Sequence, residues 1–208
     1  MNVDGKPYRT IWLSEDSTSI SVIDQTRLPH RFEIVRWHSV QDVAAGIRNM
    51  VVRGAPLIGA SSAYGLALAM REDPSDDNLE RAYDTLLRTR PTAVNLRWAL
   101  DFMRDGVRPC SLAERAEAAY ALAGQIADDD VQNCSAIGDS GQMLIRQFWD
   151  GLSESRPVNI LTHCNAGWLA TVDWGTALAP IYKAFNAGIR VHVWVDETRP
   201  RNQGASLT

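Results

Sequence analysis

Val158-Asn159-Ile160-Leu161-Thr162-His163, then Cys164-Asn165-Ala166-Gly167, and further on Ile189 to Val195, form the passage that decides the fold. The first and last runs are apolar, rich in β-branched residues and short enough for one strand each. Between them the pattern predicts a helix that ends near Ala187, with Gly188 where a left-handed residue closes a helix. Strand, helix, strand with short connections is a βαβ unit, so the strands are expected to be parallel and the crossover right-handed. Two parallel strands leave edges and faces uncovered. Residues 135–208 therefore read as an incomplete Rossmann-like domain, cut after about two strands.

Working outward, residues 1–134 read as a small β-sheet followed by a helical domain, which makes the whole chain α/β. Tyr8 to Leu13 and Ser19 to Asp24 predict a hairpin, and Glu33 to Trp37 a third strand. Ser39 and Asp42 have capping-box spacing ahead of a helical stripe of Val43, Ile47, Met50 and Val51. Arg53-Gly54-Ala55-Pro56 then opens an Ala- and Leu-rich helix to Arg71, with proline in a first turn where its missing N–H costs nothing. Glu72 to Asp77 reads as a loop and Leu79 to Arg88 as a helix. Arg90-Pro91-Thr92-Ala93-Val94-Asn95 repeats the loop-then-proline device. Ser111 and Glu114 form a second capping box. Asp128-Asp129-Asp130 is expected to interrupt the next helix as a solvated end, with helix resuming from Asn133 to Phe148. Past Val195, Gln203 to Thr208 reads as the first turn of another helix.

The chain has 208 residues, a formal net charge of -4 and no block of like charges, which argues against a nucleic-acid partner. No apolar run is long enough to span a bilayer, and Met1 to Thr10 lacks the pattern of a signal peptide. Cys110, Cys134 and Cys164 are scattered, with no metal-ligand spacing, as in a reducing compartment. A soluble cytoplasmic protein is expected, with structural zinc disfavoured. The tryptophans fall mostly in apolar stripes and read as core.

Ligands of open α/β sheets collect beyond the carboxyl ends of the strands. Cys164 follows one predicted strand there, and Asp196, Glu197, Arg199 and Gln203 follow the other. A thiol beside an arginine or a helix N-terminus is suited to acid–base or nucleophilic work. The bland alternative is a small packing residue; the polar neighbours Thr162, His163 and Asn165 favour function. Arg53-Gly54-Ala55 at a helix start is a plausible anion grip, with Arg90 as a second guanidinium. Each such loop alone would read as a turn with a surface arginine. His163 is weighted toward a hydrogen bond with backbone, and Cys110 and Cys134 toward packing.

Five pieces, taken in order, carry a resemblance. They are Asp24-Gln25-Thr26-Arg27-Leu28-Pro29, Val52-Arg53-Gly54-Ala55-Pro56-Leu57-Ile58-Gly59, Arg90-Pro91-Thr92-Ala93-Val94-Asn95-Leu96, Leu161-Thr162-His163-Cys164-Asn165-Ala166-Gly167 and Glu197-Thr198-Arg199-Pro200-Arg201-Asn202-Gln203-Gly204-Ala205. The chain resembles the methylthioribose-1-phosphate isomerase family of methionine salvage. That family shares a superfamily with the regulatory alpha, beta and delta subunits of the translation-initiation exchange factor. The resemblance implies aldose–ketose isomerisation of 5-methylthioribose 1-phosphate, a phosphorylated pentose, without metal or redox cofactor, and a homodimer for full-length members. It implies substrate contacts at Arg53, Gly54, Ala55, Arg90 and Gln203, and an active-site cysteine at Cys164. Arg97 departs from the family's usual apolar or aromatic residue.

Other readings are an isomerase of 5-deoxyribose 1-phosphate or ribose 1,5-bisphosphate, a non-catalytic regulatory subunit, and a degenerate remnant. The family's acidic proton donor and a following Asn-Lys pair lie on later segments with no counterpart before Thr208; Asp196 belongs to an earlier strand. The purified 208-residue chain is accordingly expected to show little or no isomerase turnover. A steady-state assay giving measurable ketose overturns that expectation.

Overall fold

A computed structural model describes residues 1–151 and 156–208. The N-terminal layer opens with a two-residue hairpin, β1 (Asn2–Val3) against β2 (Lys6–Pro7), turning through Asp4 and Gly5, both at positive φ. Asp-Gly with two left-handed residues is the turn that matches strand twist. An antiparallel meander follows: β3 (Ile11–Leu13), β4 (Ile20–Ile23) and β5 (Ile34–Trp37). These are the three strands expected. The central strand β4 is buried throughout.

Helix α1 (Val40–Arg48) starts on the predicted capping box, Ser39 accepting from the Asp42 N–H while the Asp42 carboxylate accepts from Ser39 N–H. It stops earlier than the apolar stripe suggested, because Met50 turns left-handed at φ 61°. Helix α2 (Ala55–Glu72) carries Pro56 in its first turn and is buried at every residue from Leu57 to Met70. A helix apolar or small on all sides belongs in the middle of a bundle. Around it pack α1, α3 (Asp76–Leu87), α4 (Val94–Val107) and α5 (Arg115–Asp150). Gly59 lets the α4 backbone at Asn95 come close, and Gly65 makes room for Val43 and Leu86.

Four local expectations are corrected. Helix α3 begins at Asp76, capped by Ser75, so only Asp73 to Ser75 remain of the expected loop. Pro91 occupies the tight turn closed by Ala93 N–H to the Arg90 carbonyl, and α4 starts three residues after it. Asp128 to Asp130 do not interrupt anything: α5 runs unbroken for 36 residues, roughly 54 Å at 1.5 Å per residue, and passes through 134 and 135. Tertiary contacts on both halves outweigh the poor helix propensity of three aspartates. Of the tryptophans only Trp37 is core; Trp98 and Trp194 are 54% and 58% exposed.

The second layer is the βαβ unit. Strand β6 (Val158–His163) pairs in parallel with β7 (Val191–Asp196), Val158 opposite Val191 and His163 opposite Asp196. The crossover differs from the long helix expected. After Cys164 the chain makes a 3-10 turn (Trp168–Ala170) and a loop to Leu178, and only then α6 (Ala179–Asn186). Gly167 bridges Gly175, whose φ is +83° and whose Cβ position is occupied by Gly167 backbone. Such contacts hold the chain out of α-helix until Ala179. Gly188, at φ +79°, closes α6 as predicted, with its N–H on Phe185 O and Ile189 N–H on Ala184 O. A short α7 (Gln203–Leu207) follows β7.

Helix α5 joins the two layers. Its first half packs on α2 and α4, and its second half on α6, where Gly138 and Gly141 face Lys183, Ala179 and Pro180. Lys183 Nζ caps this contact through Ser135 O and the Asp139 carboxylate. A Cβ at Gly141 would lie 2.4 Å from Pro180 Cγ, whereas one at Gly124 in the same helix meets nothing within 4 Å. Gly141→Ala is expected to cost about 1–3 kcal/mol through overpacking. Gly124→Ala is expected to gain up to about 1 kcal/mol from helix propensity alone. Urea unfolding midpoints of the two variants check the pair.

Candidate active site

The parallel register carries β6 and β7 to the same height, so the residues after His163 and after Asp196 emerge side by side. Cys164 is left-handed, φ 58°, with its N–H on the Asp196 carbonyl. Holding a non-glycine residue there costs about 1–2 kcal/mol, and such strain is maintained by surrounding contacts. Here the contacts are the Asp196 bond, Thr208 Oγ1 donating to the Cys164 carbonyl at 2.7 Å, and Asn165 Nδ2 donating to Thr208 Oγ1 at 2.9 Å.

Arg53 reaches the same spot from the helical layer, on the short segment between α1 and α2. Its Nη1 donates to Asn165 O (2.8 Å) and Oδ1 (3.1 Å), and its Nη2 stands 3.7 Å from Cys164 Sγ. Burial weakens the guanidinium's hold on its proton, neighbouring Cys164 strengthens it, and the nearby charge of Arg90 weakens it again. The two guanidinium charges thus act on one another. Arg90 itself is exposed, in the turn before α4. The first-turn N–H groups of α2, at Ala55 and beyond, lack intrahelical acceptors, and Gly54 precedes them.

Gln203, at the start of α7, completes the group: Cys164 Sγ donates to its Oε1 at 3.3 Å. Arg53 and Gln203 share a cavity of about 180 Å³ with Gln25, Thr26, Met50 and Arg201. Gln25 is 5% exposed; its Nε2 donates to Leu169 O, and its Oε1 has no partner among the described residues. The six residues singled out in the sequence thus divide three ways. Arg53, Cys164 and Gln203 meet directly, Gly54 and Ala55 form the adjoining helix start, and Arg90 is coupled through its charge alone.

Two residues that read as facing this cleft do other work. The Glu197 carboxylate accepts from Thr198 N (2.7 Å), Gly204 N (2.8 Å) and Ala205 N (3.0 Å). These bonds, the one from Thr198 first, hold it below the usual carboxylate range although desolvation opposes them. It is a brace for α7. Asp196 is exposed and lies 3.8 Å from His163 Nδ1, so His163 faces a carboxylate and not backbone as expected. Sequence reasoning passed over Thr198, whose Oγ1 donates to Cys164 Sγ at 3.1 Å, and gave Asn165 and Gln25 no separate role. The strand register, once known, points to Thr198, since His163 pairs with Asp196 and Cys164 and Thr198 follow one and two residues past those strand ends.

The aspartate run, expected as solvated, also braces the site. Asp130 Oδ2 accepts from Val172 N at 2.7 Å, and Thr10 holds Thr171 O and Val172 O from the other side. Burial raises the Asp130 carboxyl, and burial first, then Asp130, pushes the Cys134 thiol up to about 11. Cys134 is a buried, protonated packing residue, as expected. Next to this clamp, Ala170 presses against Gly54. Among the described residues, no group of three or more His, Cys, Asp or Glu side chains is arranged to hold a metal ion.

A helical bundle joined to a parallel α/β unit is a fold that this chain shares with solved structures of an isomerase and of a translation-initiation-factor subunit. The chain belongs to the Initiation factor 2 subunit family, whose profile matches residues 51–208. It is 62% identical over 208 residues to a methylthioribose-1-phosphate isomerase of Methylocella silvestris, covering 100% of this chain and 57% of that protein. With the Escherichia coli protein of that name it shares 57% identity over 204 residues, 98% of this chain and 55% of the relative. The chain therefore spans little more than half the length of the curated relatives it matches. Its fold matches the 5-methylthioribose 1-phosphate isomerase structure from Pyrococcus horikoshii with a TM-score of 0.83 at 39% identity, over 97% of this chain and 56% of that one. The structure titled translation initiation factor eIF-2B, subunit delta, from A. fulgidus matches with 0.82 at 38% identity, over 97% and 58%.

A Cβ on Gly54 would lie 2.3 Å from Ala170 O, and the residue's φ is +95°. Gly54→Ala is expected to cost about 2–4 kcal/mol, combining backbone strain with overpacking against a rigid turn. Thermal unfolding measures it; a wild-type melting temperature would contradict the tight joint between α2 and the 168–172 turn.

Proposed function

We propose that this chain carries the sugar-phosphate site of an aldose–ketose isomerase, with 5-methylthioribose 1-phosphate as substrate and 5-methylthioribulose 1-phosphate as product. The observation that carries the reading is the meeting of Arg53, Cys164 and Gln203, from three distant segments, beside one small cavity. The names of the relatives supply the reaction; the geometry supplies a way to perform its parts.

The substrate's anomeric oxygen bears phosphate, so the ring cannot open to a free aldehyde in the ordinary way. A site for it must anchor the phosphate, promote ring opening and transfer hydrogen between C1 and C2. The guanidinium charges of Arg53 and Arg90 act on one another, and a phosphate between them would be attracted by both. The free N–H groups around Gly54 and Ala55 at the start of α2 add neutral donors and a favourable dipole. Gln203 offers an amide to a sugar hydroxyl or phosphate oxygen. Cys164 is assigned the proton-transfer role, because its sulfur lies where strands deliver reactive groups and has a donor and an acceptor already aligned.

Leu28 and Met50 in the cavity wall favour an apolar 5-substituent, whereas Arg201 is the cation that a 5-phosphate would seek. A non-catalytic subunit is the second reading, favoured by the almost equal fold match to the eIF-2B delta structure. The three cysteines are all free, in keeping with a reducing cytoplasmic setting.

Ligand-dependent melting of the chain tests the proposal. At a hundredfold excess over the dissociation constant, 5-methylthioribose 1-phosphate is expected to raise the melting temperature by roughly 5–10 °C. Arg53→Ala should abolish the shift and Cys164→Ser should keep it. Absence of any shift with the wild-type chain at millimolar ligand rejects the sugar-phosphate site. In an extended chain that turns over, full activity of Cys164→Ala rejects the role given to the cysteine.

A further inference from the structure

The sulfur of Cys164 is surrounded by three polar groups, and they are not equivalent. Gln203 Oε1 receives the S–H at 3.3 Å. Arg53 supplies charge from 3.7 Å, but its Nη1 is committed to Asn165. The short donor is the Thr198 hydroxyl, 3.1 Å from Sγ. It fits either state of the sulfur. While the thiol proton points at Gln203, the hydroxyl donates to a sulfur lone pair; once that proton leaves, the same hydroxyl remains aimed at the thiolate.

Thr198 is itself held. Its N–H is bound by Glu197 Oε1, and its carbonyl accepts from Asn202 N at 2.8 Å. The same Glu197 carboxylate takes the N–H groups of Gly204 and Ala205. The turn from 197 to 205 is therefore closed around one carboxylate, which presents Thr198 and Gln203 to the sulfur together. Cys164 answers with its left-handed backbone, anchored to Asp196 O. We propose that Thr198 is the positioning residue for Cys164, its hydroxyl fixing and polarising the sulfur. Its contribution to isomerisation rests on the function proposed above; its hold on the sulfur does not.

The test reads the sulfur directly in the chain as it stands. Iodoacetamide labelling at pH 8 is followed at the Cys164 peptide by mass spectrometry and normalised to the rate in denaturant. Thr198→Val and Thr198→Ala both lose the hydroxyl, and the first keeps the branched shape. Both are expected to label Cys164 more slowly by roughly threefold to tenfold, the size of one net hydrogen bond. Thr198→Ser, which keeps the donor, is expected to restore at least half of the wild-type rate. Wild-type labelling in both Val and Ala variants overturns the assignment, as does a Ser variant as slow as they are. Sugar-phosphate binding by melting shift is measured alongside: its absence would sink the proposed function while leaving the labelling result to stand or fall by itself.

Discussion

The guanidinium of Arg53 ties the molecule together at the point where chemistry is expected. It leaves the helical layer between α1 and α2, crosses to the α/β layer, and bonds both the backbone and side chain of Asn165 beside Cys164. A charged hydrogen bond to two acceptors on one residue is directional as well as strong. Moving either layer by an ångström would break it. The remaining contacts at this seam serve to keep that geometry: Gly54 seated on Ala170, Gln25 on Leu169 O, and Asp130 and Thr10 holding the 171–172 backbone.

What makes such a seam rigid lies behind it. Helix α2 is buried from Leu57 to Met70, so its N-terminus, and Arg53 before it, cannot shift without disturbing four neighbouring helices. Close packing transmits such constraints because the interior has little free volume. Helix α5 carries the same rigidity across to the βαβ unit through the glycine contacts with α6. At the α3–α4–α5 junction, buried Arg115 donates to the carbonyls of Pro74, Arg108 and Cys110 and pairs with Asp76 at 2.8 Å. Removing it would take the partner from three partly buried carbonyls at this junction.

The carboxylates near the sulfur are occupied structurally. Glu197 holds three N–H groups, and Asp196 faces solvent and His163. The described site is thus rich in cations, amides and hydroxyls around one thiol, a composition suited to gripping an anion and orienting a sulfur.

Much of this was legible in the sequence. The short β-prone runs at 11–13, 20–23 and 34–37, the Ser39–Asp42 box, Pro56 at a helix start and Gly188 at a helix end are local signals, set by sterics and hydrogen bonds within a few residues. The motif pieces likewise marked Arg53, Cys164 and Gln203, which the tertiary structure brings within contact of one another. The Asp4-Gly5 turn was equally local but sat between strands too short to show periodicity. Three things only the tertiary structure decided. Asp128 to Asp130 stay helical because both ends of α5 are packed. Residues 168–178 stay out of α-helix where Gly175 seats on the Gly167 backbone and the Ala170 backbone on Gly54, from the helical layer. Thr198 and Glu197 acquire their roles from the parallel register of β6 and β7. Each depends on contacts between residues far apart in the chain, and local pattern carries no information about which distant atoms will fill the space beside it.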